Sequence, residues 1–212
     1  MANLVAEGVS QVAGAEPVVR TVPELIPAAV IESRADMKAG RGLQKDIPLV
    51  TADDFREAGA IAFGTPTRFG NVSSQLKNQI DQLSSLWLKG ELEGKPAGVF
   101  VSTGSLHGGQ ETTILTLMAP LLHLGMILVG VPYSVQDLFT TQGGGSPYGP
   151  GHLAGGDNRR ERRSAPMYET SIYSIAPNLW RWEIRCGGAL LRCGTAGTRA
   201  IAELHVKAVV NT

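Results

Sequence analysis

The chain is short of cysteine, of charge and of aromatic side chains, and each shortage excludes something. Among 212 residues there are two cysteines, Cys186 and Cys193. Their spacing is neither a C-x-x-C redox pair nor a zinc knuckle, and two thiols make no disulfide framework. They read as reduced thiols of a cytoplasmic protein, and no metal site is expected. Charged residues are 18%, below the roughly 25% of an average domain. The 19 basic residues balance the 19 acidic ones, which argues against nucleic acid or an anionic membrane as the main partner. Residues 1–8 hold no basic stretch followed by an apolar one, so no signal peptide is expected. Residues 114–132 are nearly all apolar, but Pro120, His123, Gly125 and Gly130 interrupt them. A helix followed by a strand explains that stretch better than a membrane span, so no integral membrane span is expected.

Hydrophobic residues reach 43%, enough at this length for a real core in one domain or at most two. Glycine is in excess, 26 residues, or about 12% against a usual figure of roughly 7%. With no collagen-like period, the excess belongs in loops, where a backbone without side chains comes close to ligands.

Residues 3–13 place Leu4, Val5, Val9 and Val12 at helical spacing, and 17–22 reads as a short strand. Residues 24–56 read mostly as loop. The apolar runs 58–64, 97–103 and 126–131 read as buried parallel strands. Between the first two lies a helix capped by Asn71 or Ser73 and running to about Leu88. Between the second two lies a helix over 112–124. Strand, loop, helix, strand predicts right-handed crossovers and a parallel sheet. Ligands of such sheets sit at the carboxyl ends of the strands. The loops 64–71 and 102–110 each follow a strand, so they should lie side by side at that end. Thr65, Thr67, Arg68 and the amides around them offer donors, and Phe69 offers a flat apolar face. Ser102, Thr103, Gly104 and Ser105 offer hydroxyls and open backbone. Together these suit a planar heterocycle edged with carbonyls.

The motifs Gly64-Thr-Pro-Thr-Arg-Phe-Gly-Asn, Ser102-Thr-Gly with His107-Gly-Gly-Gln-Glu-Thr-Thr, His123 with Gly125-Met126, and Gly144-Gly-Ser-Pro-Tyr-Gly fall in order. In this series the chain resembles the WrbA-type NAD(P)H:quinone oxidoreductases, flavodoxin-like FMN proteins, from about residue 3 to residue 157. The resemblance implies an α/β fold, a flavodoxin-like three-layer sandwich with a parallel sheet. It implies a homotetramer with FMN bound non-covalently, and two-electron reduction of quinones by NAD(P)H. The chemistry then belongs to the flavin, and no catalytic side chain is assigned. By resemblance, Pro66, Thr67, Arg68, Phe69 and Gly70 form one flavin loop, and Ser102, Thr103, Gly104, Ser105, Leu106 and His107 the second. His123 would reach the cofactor from a neighbouring subunit, and Trp87 would wall the quinone pocket. The competing expectation is a flavin-free family descendant acting as a binding or scaffold protein.

The family pattern opens with a strand and a phosphate loop of the type S-x-Y-G-H before its first helix. Here that helix starts near Asn3, so the expectation is a sheet without its first strand and weak FMN binding. Residues 1–158 are then the flavodoxin-like domain, 159–195 an atypical insertion expected to be irregular and dispensable, and 196–212 the last helix of the same domain.

Overall fold

A computed structural model describes residues 1–154 and the segments 168–176, 179–186 and 189–196. Its centre is β2 (Pro96–Thr103), whose side chains alternate strictly: Ala97, Val99, Val101 and Thr103 are buried and the residues between them half-buried. On one edge β1 (Ile61–Pro66) pairs with it in parallel, from Ile61 opposite Ala97 to Pro66 opposite Ser102. The other edge is shared by two short parallel strands. β3 (Ile127–Leu128) lies opposite Pro96 and Ala97, and β4 (Gly151–Leu153) opposite Val101, Ser102 and Thr103. The three apolar runs are therefore neighbours in an all-parallel sheet, as expected. The third is shorter than its sequence suggests, because the chain leaves β2 after Val129, whose N–H donates to Ala97 O, and the Val131 N–H goes to Pro147 O instead.

One hydrophobic cluster fills the face of the sheet to which Phe63, Val99 and Val101 point. Four helices contribute to it. α4 (Ala52–Glu57) gives Phe55, which stacks on Phe63 with ring centroids 6.4 Å apart. α5 (Ser74–Asp81) gives Leu76 and Ile80. α6 (Ser84–Leu88) gives Leu86. α7 (Gln110–His123) gives Ile114, Leu117, Met118 and Leu121. Ser73 is the N-cap of α5, its hydroxyl accepting from the Leu76 N–H. On the opposite face Ala62, Gly64 and Pro66 of β1 are exposed.

Several sequence expectations need correction. Residues 17–22 form no ladder, only a single parallel bridge between Thr21 and Leu49. Residues 24–56, expected to be mostly loop, hold α2 (Ala28–Ser33), α3 (Ala35–Gly42) and α4. The first two bury no residue, so they carry no apolar stripe to read. The helix expected to run to Leu88 is broken after Asp81 into α5 and α6. The first helix, α1 (Ala2–Ser10), starts and ends slightly earlier than expected. Within 159–195, expected to be irregular, β5 (Tyr168–Ala176), β6 (Leu179–Cys186) and β7 (Ala189–Ala196) form an antiparallel meander. Its sequence alternates at period two, as in Trp180-Arg-Trp-Glu-Ile-Arg, a signal lost to a search for helical spacing. Residues 159–167 and the helix expected after Ala196 lie outside the described residues.

Two local devices hold α4 in place, and each gives a prediction. At its start the Thr51 hydroxyl accepts from the Asp54 N–H while Asp54 accepts from the Thr51 N–H at 2.7 Å, a capping box to which Arg20 adds an ion pair at 2.8 Å. The Thr51 backbone bond, then its hydroxyl and Arg20, hold the Asp54 carboxyl below its ordinary value. A carboxylate depressed in the folded state stabilises above its unfolded pKa, about 4, and that contribution fades as pH falls further. Thr51→Ala should therefore lower the melting temperature at pH 7 and make less difference at pH 3, as calorimetry at the two pH values would show.

At its end, Lys95 Nζ donates to the carbonyls of Phe55, Arg56 and Ala58, covering the orphan acceptors where α4 stops. Lys95→Met keeps the stem and removes three charge-assisted bonds. It should cost about 2 kcal/mol, discounted for partial exposure, in a urea unfolding curve of unchanged slope.

Candidate functional site

At the carboxyl end of the sheet the two Gly-rich loops meet side by side. The first follows β1. Its Thr67 N–H donates to Ser102 O at 2.8 Å, and Thr67 Oγ1 lies 2.8 Å from Thr113 Oγ1 of α7. That hydroxyl also accepts from the Gly70 N–H. Thr67 thus fastens the loop to the end of β2 and to α7 together.

Beyond Thr67 the chain reverses in a two-residue turn. Arg68 and Asn71 exchange both backbone hydrogen bonds, at 2.8 and 3.0 Å, and the residues between them have φ +53° at Phe69 and +77° at Gly70. Positive φ at both positions matches a type I′ turn, where Asn-Gly is the favoured pair. Phe69 is the only non-glycine residue with positive φ among the described residues, and its ring is fully exposed at 107%. A bulky residue in left-handed backbone with its side chain in water is disfavoured on both counts. Strain held at an exposed aromatic points to use of that ring. The Arg68 guanidinium folds back onto Thr67 O at 2.8 Å.

The second loop follows β2. Thr103 is buried, and its hydroxyl donates to Ser105 O at 2.9 Å. Gly108 N–H also donates to Ser105 O, so the loop is a compact knot. Gly104, Ser105, Leu106 and His107 are exposed on it. The amides of Phe69, Gly104, Ser105, Leu106 and His107 make no hydrogen bond among the described residues. Open donors on exposed residues of one loop and an exposed phenyl ring on the other make a set that fits the carbonyl edge and flat face of a heterocycle.

The structure thus brings Pro66, Thr67, Arg68, Phe69 and Gly70 together with Ser102, Thr103, Gly104, Ser105, Leu106 and His107. It does not bring the remaining two candidates there. His123 is the last residue of α7, about 20 Å from its first residue at 1.5 Å per residue. It is exposed at the far end from the loops of its own chain. Trp87 is half-exposed on α6, beside the exposed Leu88. No hydrogen bond or ring contact among the described residues ties it to either loop.

Two residues at this end escaped the sequence reading. Ser102 Oγ lies 3.0 Å from His152 Nδ1 of β4, and nothing in the spacing of those residues announces the pairing. Gln110 is buried, bonded to both Thr103 and the 143–151 segment. A signal for it existed: Gln110 begins the series Gln110, Thr113, Ile114, Leu117, Met118, Leu121, all buried and recurring in the i, i+3, i+4, i+7 pattern of one helix face. No group of three or more His, Cys, Asp or Glu that could hold a metal occurs among the described residues. No helix there is long and apolar enough to cross a membrane.

Residues 1–140 match the model of a family described as NADPH-dependent FMN reductase. A relative from Trichlorobacter lovleyi, named NAD(P)H dehydrogenase (quinone), is 51% identical over 162 residues, covering 76% of this chain and 79% of its own. A protein of the same name from Geotalea uraniireducens is 45% identical over 188 residues, covering 85% and 92%. A solved structure, the flavodoxin, WrbA-like protein from Agrobacterium tumefaciens, shares 30% identity, with 37% of this chain and 52% of that one covered and a TM-score of 0.35.

Proposed function

The chain belongs to the NADPH-dependent FMN reductase family, and we propose that it is an FMN-dependent NAD(P)H:quinone oxidoreductase taking quinones to quinols in two-electron steps. The observation that carries this reading is the pair of loops at the carboxyl end of the sheet, one with open amides on the exposed residues 104–107 and the other with the strained, exposed ring of Phe69. The names of the relatives agree with it.

Bound FMN supplies the two-electron chemistry between NAD(P)H and quinone. The chain's own residues position and surround it. The amides of Gly104 to His107 and of Phe69 would hold the heterocycle's edge by donating hydrogen bonds to it. Hydrogen bonds to that edge tune where charge is held on the ring. The Phe69 ring would cover one apolar face of the heterocycle and keep water from that side. Thr67 and Ser102 hold the two loops at fixed separation, which limits the reorganisation required when the cofactor changes charge.

In this proposal the working unit is a homotetramer in the cytoplasm. Trp87, Leu88, Leu115 and Leu122 are large apolar side chains left exposed on α6 and α7 of the single chain. Association would bury them. It would also allow His123 and Trp87 of one subunit to approach the loops of another, which they do not reach in their own.

Steady-state assays with added FMN test the function. NAD(P)H oxidation that depends on benzoquinone, with one quinol formed per NAD(P)H, is the expected result. Flavin binding without NAD(P)H oxidation would point to an electron carrier, and no flavin binding to the scaffold alternative. Light scattering at four times the monomer mass of 22.4 kDa tests the assembly.

A further inference from the structure

We propose that Gln110 is a positioning residue that sets the shape of the second loop through Thr103, an inference that rests on the flavin reading of that loop. Gln110 is 2% exposed at the first residue of α7. Its side-chain amide uses both ends. Nε2 donates to Thr103 Oγ1 at 3.1 Å, and Oε1 accepts from the Gly145 N–H at 2.9 Å. The Gly144 and Gly151 backbones lie against the same amide. Thr103 passes the constraint on, its hydroxyl donating to Ser105 O at 2.9 Å, while Thr103 O accepts from Ala154 N–H at 2.8 Å. One buried amide therefore ties together the start of α7, the end of β2, the flavin-side loop and the segment leading into β4.

The chain of bonds has a direction. A hydroxyl carries one proton. Thr103 can give that proton to Ser105 O because the group facing its oxygen from the other side, Gln110 Nε2, is itself a donor. Replace that donor with an acceptor and Thr103 must choose between two oxygens. Gln110→Glu does this at constant shape. As a carboxylate it still accepts from Gly145 but competes for the Thr103 proton. As a neutral acid it can donate again and restores the original pattern. Burial raises a carboxyl pKa, and Gln110 is buried, so acid favours the neutral form of the glutamate. Gln110→Met fills the same space and bonds to neither partner.

The experiment compares wild type, Gln110→Glu and Gln110→Met by fluorescence titration with FMN and, separately, with riboflavin, which lacks the phosphate and so reports the ring-side loops alone. At pH 8 both variants should bind each flavin about tenfold more weakly than wild type, equivalent to about 1.4 kcal/mol. On moving to pH 5, Gln110→Glu should approach wild type while Gln110→Met stays weak, a rescue that a purely structural role would not produce. Binding of both flavins within twofold of wild type by both variants at pH 8 would overturn the proposal. If wild type binds neither flavin, the functional reading fails instead. Amide exchange then decides the positioning role. Faster exchange at Gly108 and Gly145 in Gln110→Met supports it, and unchanged exchange at both refutes it. If Gln110→Glu does not fold at pH 8, the methionine variant and the pH 5 data carry the decision.

Discussion

Gly149→Ala is expected to destabilise the protein by about 3 kcal/mol or more, lowering its melting temperature by roughly 6–12 °C for a chain of this size. A Cβ at that position would lie 2.1 Å from Val99 O and 3.2 Å from Val99 C. The obstruction is the backbone of the central strand, which cannot turn aside as a flexible side chain would. Gly149 is buried and closes a tight turn with Ser146, each N–H donating to the other's carbonyl. The next carbonyl, Pro150 O, accepts the Val101 N–H and opens the pairing of β4 with β2. Displacing Gly149 outward therefore strips β4 from the sheet and carries Gly145 away from Gln110. Flavin binding should fall together with stability, and calorimetry beside a flavin titration measures both. A melting temperature within 2 °C of wild type would mean the segment has room that the structure denies it.

The second large effect separates stability from function. Phe69→Asn should raise stability slightly and lower quinone reduction tenfold or more. Left-handed backbone costs an ordinary residue about 1–2 kcal/mol, and asparagine tolerates it far better. Asn-Gly is also the pair a type I′ turn favours, and Gly70 is already in place. Phe69 makes no ring contact among the described residues and is fully exposed, so removing it leaves no cavity. A gain of roughly 0.5–1 kcal/mol is expected from relief of backbone strain. The lost activity follows from losing the flat apolar face that the loop holds out. Unfolding curves and quinone reduction rates on the same preparation read both signs. A loss of stability with unchanged activity would show that the ring serves packing and not the ligand.

How much of this was legible beforehand depends on the range of each signal. The runs around Phe63, Val99 and Leu128 were readable as parallel strands because burial on the sheet leaves a local apolar signature. The two loops were readable because each follows such a run and carries small hydroxyl residues and glycine. The helices α2 and α3 were not, since they bury nothing and have no stripe. The break between α5 and α6 was hidden by an apolar spacing that runs through it unchanged from Leu76 to Trp87. β4 escaped because Gly-His-Leu has no strand signature of its own and is fixed by pairing with β2. The strained turn at Phe69 was also invisible, since a sequence shows a phenylalanine beside a glycine and not the sign of its φ. Gln110 was the recoverable omission: its place on the buried stripe of α7 was there to be counted.

The most direct test of the central claim is an anaerobic spectral cycle on the chain loaded with FMN. Adding NADH or NADPH should bleach the visible band of the bound oxidised flavin completely at one equivalent. Adding one equivalent of benzoquinone should then restore it, with no long-wavelength absorbance from one-electron forms on the way. A band that stays unbleached by either nicotinamide, or that bleaches and does not return with quinone, would contradict the account.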